Sequence, residues 1–365
     1  MHDTFIKTAA KTIGATCLAA ALAFSAPIPG ATTGKVQLKS AGALAFGNDG
    51  VLFIGDSMGA TLVAIDTHDT KTSSKASAID IRGINEKAAA LLGTTRDQIL
   101  INDIKVNPIS KAVYLSVSRG KGPDAIPVIL KVDSNGKLSE FSLDNVEFAA
   151  TALSDAPASK PGGRGDPRND AITQIAFVNG RVLIAGLSNQ EFASDLRSIP
   201  FPFKGEAAST GIKMYHGSHG RYETQSPVRT FVPFSIGKEE FILAAYTCTP
   251  LVKIPLSELM PGAKVEGTTI AELGAGNRPL DIIAYKKNNK DYFLLANSAR
   301  GVMKLDASNL EQYKPIVAHT EVAGIPYTTL AEMTGVKHLA KLDESTALML
   351  FDNGGSMDLR AVPLP

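Results

Sequence analysis

Four aspartates, Asp56, Asp103, Asp170 and Asp281, stand at or beside the ends of short apolar runs. Carboxylate oxygens are the ligands a hard cation such as Ca²⁺ takes, and Asn102 and Asn169, each one position before an aspartate, could add carbonyl oxygens. The four are therefore a candidate metal set. His338 has the residue type that moves protons beside such an ion. Arg119, Asn189, Tyr246, Arg278, Asn297, Arg300 and Asp352 occupy comparable positions at the ends of other runs. With the aspartates, the two asparagines and His338 they make a candidate binding funnel, because a ligand site needs a few polar groups converging from several elements. Asn, Asp and Ser also favour strand ends for their turn chemistry, so no single one of these residues specifies a reaction.

Three other constellations carry possible chemistry. His216-Gly-Ser-His219 has the spacing of a metal pair, but no Cys or acidic residue lies at a suitable spacing, and a closed zinc site needs four ligands. The pair is expected on a hairpin at the face opposite the aspartates. Cys248, beside Thr247, has no evident base in the sequence and reads as a small buried residue. Arg164-Gly165-Asp166 sits in a Pro- and Gly-rich stretch and matches a three-residue adhesion motif. A Walker A loop, a dinucleotide fingerprint leading into a helix and a CxxCH haem motif are all missing from the sequence.

The elements that position these residues follow from composition and pattern. The 365 residues are 44% hydrophobic and 20% charged, enough for a packed core and incompatible with wholesale disorder. Lys plus Arg number 37 against 36 Asp plus Glu, a net charge of +1. That balance excludes a broad phosphate-binding face and with it bulk nucleic-acid binding. Residues 1–31 read as a secretory signal peptide and short leader. Lys7 and Lys11 form the positive start, residues 12–23 are a small apolar run, and Ala21-Leu22-Ala23 is an Ala-x-Ala cleavage motif. Gly-Ala-Thr before Cys17 does not match a lipidation signal. No other stretch approaches the roughly 18 apolar residues of a membrane helix. The expected protein is secreted or periplasmic, monomeric, without a membrane span. Once the leader is removed, Cys248 is its sole cysteine, so no internal disulfide can form.

Residues 32–365 contain an internal repeat of strand, tight turn, strand, short loop, strand. Units begin at Ala43, Asp103, Ile172, Val228, Arg278 and Val336, at spacings of 60, 69, 56, 50 and 58 residues, counted along the sequence. A period of this size with three or four strands per unit is a propeller signature, and predicts an all-β, six-bladed β-propeller in one domain. Fourth strands are expected at Ala76–Ile81, Lys137–Leu143, Arg221–Gln225 and Lys264–Leu273. The last unit runs out of chain after three strands. A strand at Lys35–Lys39 is therefore expected to pair with it and close the ring. Asn85–Leu92 reads as a short helix stopped by Gly93. Residues 189–210 read as a long apolar loop carrying Phe192, Ile199, Phe201 and Phe203, a candidate lid.

Asp56-Ser-Met-Gly-Ala-Thr-Leu-Val-Ala-Ile-Asp66, and Arg278-Pro-Leu-Asp-Ile282 through Val302-Met-Lys-Leu-Asp306, resemble NHL- and YVTN-type propeller repeats. The resemblance implies a propeller over most of residues 35–365 and leaves the function open, because this architecture hosts many. Two functional readings lead. The first is a propeller that binds a small molecule or a partner protein through the funnel face. The second is a calcium-dependent hydrolase similar to the six-bladed lactonases and esterases, with Asp56, Asp103, Asp170 and Asp281 on the ion. Its sequence lacks the inner-strand Glu that the gluconolactonase-like branch uses. A third reading is an electron-transfer-associated protein of the quinoprotein type.

Overall fold

The computed structural model describes residues 28–365 except 74–78, 161, 163–164, 206 and 249. Residues 1–27 of the expected leader, including Cys17 and the cleavage motif, lie outside the described residues, as do Arg164 and the start of the strand expected at Ala76–Ile81.

Six inner strands organise the chain: β1 (Leu44–Phe46), β2 (Ile99–Val106), β3 (Gln174–Val178), β4 (Thr230–Ile236), β5 (Pro279–Lys287) and β6 (Val336–Lys341). Each pairs antiparallel with the strand that follows it, and that strand with a third. The sheets built on β3 and β4 are joined at their outer edges by a parallel pairing of Thr210–His216 with Lys264–Leu273, making one ten-stranded sheet.

The inner strands touch one another in the order β1, β2, β6, β5, β4, β3 and back to β1. Six apolar clusters follow the same order, each filling the gap between two neighbouring sheets. Side chains alternate across a strand, so a strand buried on both faces feeds two gaps. Leu294 packs toward the β6 sheet and Leu295 toward the β4 sheet. This is why Tyr292-Phe-Leu-Leu-Ala296 is continuously apolar instead of alternating.

The spatial order differs from the chain order, and the closure differs from the sequence expectation. After its third strand the first sheet is left incomplete. The chain goes on to build the β2 sheet, then returns with Val146–Ala152 as the fourth strand of the first. The N-terminal segment stays with that first sheet. Thr32–Gly34 pairs with Val146–Phe148, Val36 N donates to Leu143 O, and the Val36 side chain packs with Leu44 and Leu52. The last sheet takes its fourth strand from Asp80–Ile81, which pairs with Leu359 and Arg360. Helix α1 (Ile84–Leu92) fastens this edge: Asn85 Nδ2 donates to Gly355 O at 2.8 Å, and Met357 N donates to Asn85 Oδ1 at 2.9 Å.

The expected lid is also corrected. Ser194–Pro200 is the third strand of the β3 sheet, and Thr210–His216 is the fourth. Phe201 and Phe203 pack on Phe53, with ring centroids 4.9 and 6.4 Å away, in the gap between the β1 and β3 sheets. The strand reads as loop in the sequence because it carries Asp195 and Arg197. Both are fully buried and paired with each other, and a second arm of Arg197 reaches Asp155 at 2.7 Å.

Candidate functional site

The same backbone irregularity recurs on three neighbouring inner strands. The register slips between Ile101 and Asp103 on β2, between Pro279 and Asp281 on β5, and between Val336 and His338 on β6. A bulge re-aims the side chain beside it. Asp103 Oδ2 accepts from Leu44 N of β1 at 2.8 Å, and Asp281 Oδ2 accepts from Leu339 N of β6 at 3.0 Å. Each aspartate thus ties its own inner strand to the next. Their other oxygens accept from the adjoining amides of Ile104 and Ile282.

His338 lies between the two carboxylates, its Nδ1 3.9 Å from each. Lys105, two residues along β2 from Asp103, places its ammonium 2.8 Å from Asp103 and 3.8 Å from Asp281. Burial raises the pKa of Asp281, with the Lys105 charge opposing; burial also works against the Lys105 charge, but Asp103 and Asp281 outweigh it and hold the ammonium protonated. The cluster carries two carboxylates, one fixed cation and one titratable ring.

Of the four aspartates expected on a metal, the structure brings together Asp103 and Asp281, and it places the other two elsewhere. Asp56 accepts four hydrogen bonds of 2.8–2.9 Å, from Lys39 N, Ser40 N, Ser40 Oγ and Gly59 N, and so organises the turn after its strand. Asp170 accepts from Arg229 at 2.7 Å. The ammonium of Lys105 already lies against the two carboxylates that do converge and balances one of their charges. Such a set fits a hard cation poorly, since Ca²⁺ takes six to eight oxygens.

The remaining candidates divide between local structure and the end where the inner strands begin, here called the mouth. Asn102 Nδ2 donates to Ala41 O and Ser118 Oγ. Arg119 donates to Leu92 O at the end of α1, where a cation suits the helix dipole. Tyr246 is fully buried among apolar side chains. Asn297 accepts from Asn277 inside its sheet. Asn189 and Asn169 lie in exposed turns. Asp352 accepts from Gly354 and Gly355 and pairs with Lys337 at 3.4 Å. Arg300 donates to Ala275 O. Asp166 of the adhesion-like tripeptide accepts from Ser159, Lys160 and Arg168, and so is spent on its own loop.

At the starts of β3, β4 and β5 a charged group assembles. Arg229, immediately before β4, pairs with Asp170; its Nε donates to Thr247 Oγ1 at 3.3 Å. Arg278, immediately before β5, has its charge disfavoured first by partial burial and then by Arg229, and favoured by Asp170. Two guanidiniums thus stand near one carboxylate, and Arg229 is the one paired with it. Arg229 was not singled out in the sequence, although its place before β4 matches that of Arg278 before β5.

The histidine pair is not on the far face. One ring nitrogen of His216, one of His219 and the Cys248 sulfur lie within 4.8 Å of one another. Cys248 follows Thr247, the hydrogen-bond partner of Arg229, so the pair borders the mouth. The sequence missed this because Cys248 comes from the neighbouring sheet, some thirty residues on. Glu223 accepts from both rings, at 3.0 Å from His216 Nδ1 and 2.7 Å from His219 Nδ1. Burial raises the Glu223 pKa, but these two hydrogen bonds outweigh it and bring it down to about 2.

No family model matches the chain, and no curated protein matches it at a significant level. Among solved structures it is similar to the soluble aldose sugar dehydrogenase of Escherichia coli in the apo form, at 12% identity and a TM-score of 0.33, covering 92% of this chain and 100% of that one. It is similar to the PQQ-bound aldose sugar dehydrogenase of Streptomyces coelicolor, at 12% identity and 0.33, covering 93% and 99%. It is also similar to Drosophila Plexin A, solved with Semaphorin 1b, at 9% identity and 0.40, covering 91% and 86%. Likeness at this level assigns no activity to the chain. No helix among the described residues is long and apolar enough to cross a membrane.

Proposed function

We propose that residues 32–365 form a single six-bladed β-propeller, exported behind the leader, that binds an anionic small molecule at the mouth where the inner strands begin. The closed circuit of inner-strand contacts and the six inter-sheet clusters support the ring. The observation that carries the function is two guanidiniums beside one carboxylate: Arg229 is paired with Asp170, and Arg278 lies within electrostatic reach of both. Guanidiniums hold carboxylates and phosphates through two parallel hydrogen bonds. Two guanidiniums beside one carboxylate leave a cationic excess, which such a ligand matches. The calcium-dependent hydrolase is the weaker reading, because Asp56 and Asp170 are engaged apart from Asp103 and Asp281, and Lys105 supplies the cation between the latter.

The test is a thermal-shift series with succinate, citrate and inorganic phosphate, repeated with added calcium. A ligand at about 100 times its Kd stabilises the native state by about 2.7 kcal/mol. For a chain of this length that is a rise of a few degrees. At least one anion should raise the melt, Arg278→Ala should abolish that rise, and calcium should leave the melt unchanged. No response to any anion, or a response that survives Arg278→Ala, contradicts the proposal; stabilisation by calcium favours the hydrolase.

A further inference from the structure

We propose that His216, His219 and Cys248 bind one zinc ion, with the fourth coordination position open to solvent. The residue types are those of zinc sites, and three protein ligands with one free position is the arrangement that lets the ion bind a water or another ligand. The site goes beyond the anion-binding reading and does not depend on it.

The geometry is close to complete. Three atoms each within 4.8 Å of the others have a point no more than about 2.8 Å from all three. Zinc bonds of about 2.0–2.3 Å therefore require a contraction of at most about 0.8 Å. His219 and Cys248 can supply it, the first exposed and the second half-buried.

Two features prepare the nitrogens. With both Nδ1 atoms bonded to the Glu223 carboxylate, each ring is fixed in the tautomer that leaves Nε2 with its lone pair. A carboxylate behind a ligating histidine is the common outer partner of zinc sites. Here one carboxylate serves two rings, tilted by 35° with centroids 3.8 Å apart. The second feature is an unmet need. His216 is 2% exposed, and its Nε2 is buried with no hydrogen-bond partner among the described residues. A buried ring nitrogen left this way is costly unless something takes the lone pair. Pro250–Pro255 and Thr210–His216 belong to adjacent sheets, so the ion would cross-link them at the rim.

The measurement is metal binding by the full chain, stripped with chelator and titrated with Zn²⁺, and separately with Co²⁺ followed by absorption. One equivalent should bind, and the Co²⁺ form should show a thiolate-to-metal charge-transfer band. Cys248→Ser should remove that band, His219→Ala should weaken binding by well over tenfold, and Glu223→Gln should weaken it by about 10- to 100-fold, the range for an outer partner. His68→Ala, at a separate cluster with Asp66 and Glu147, should change nothing. The proposal is overturned if the folded chain binds no stoichiometric zinc, or if its Co²⁺ form lacks the thiolate band. The Co²⁺ spectrum needs no variant, so a substitution that fails to fold does not protect the idea.

Discussion

Asp281 shows how one side chain does two structural jobs. It accepts the Leu339 amide of the next sheet and shares the Lys105 charge with Asp103. Asp281→Ala would orphan the Leu339 and Ile282 amides, while Asp103 still balances the Lys105 charge. A buried group left unpaired typically costs about 1–3 kcal/mol, and urea denaturation should show a loss of that order for each amide. Asp281→Asn keeps an acceptor for one amide and should cost less. A second buried set predicts a pH dependence. Arg197 is shared between Asp195 and Asp155, which leaves one negative charge in excess. Burial, against the pull of Arg197, raises the Asp195 pKa to about 7. The folded state therefore holds a proton that the unfolded chain releases near pH 4. Stability contributed by this group is full below about pH 4 and is lost as pH rises toward 7, with an upper bound of about 4 kcal/mol. Urea midpoints across that range should show the decline, and Asp195→Asn should flatten it. Of these residues, Asp281 and Asp103 stand out in the sequence because an acidic residue interrupts an apolar run. Lys105 and Arg197 do not, since a cation inside a strand is ordinarily a solvent-facing residue and only its partners reveal otherwise.

At the scale of elements, the clasp on the last sheet is the segment from Ile79 through α1. Asn85 is 3% exposed and makes both hydrogen bonds to the turn at Gly355–Met357. Asn85→Ala leaves a carbonyl and an amide unpaired, and should destabilise the chain by about 2–4 kcal/mol at the usual cost per buried group. Hydrogen exchange should locate the loosening in Met357–Pro363 and not in the first sheet. The strands themselves were legible, because apolar runs and turn residues recur with a steady period. Their edges were not. A two-residue strand such as Asp80–Ile81 has too little pattern to declare a partner, and nothing in Val146–Ala152 says that it reaches back past a whole sheet to the first. Period-two alternation fixes which face of a strand is buried and leaves open which neighbour it joins.

For the whole molecule, the order β1, β2, β6, β5, β4, β3 means that chain neighbours are not always spatial neighbours. Residues that converge at the mouth come from β3, β4 and β5, where the two orders agree. Those at the axis come from β2, β5 and β6, where they do not. The charge at the mouth was partly readable, since Arg278 and Asp170 were candidates from their positions before inner strands. The cation set was not separable from turn-forming aspartates until Asp56 was seen holding its own loop. The most direct measurement of the central claim is titration calorimetry with whichever of succinate, citrate or phosphate stabilises the chain, on two opposed variants. The account predicts that Arg278→Glu weakens binding at least tenfold and that Asp170→Asn, by releasing Arg229 from its carboxylate, tightens it. Equal affinity in both variants and the parent chain would contradict it.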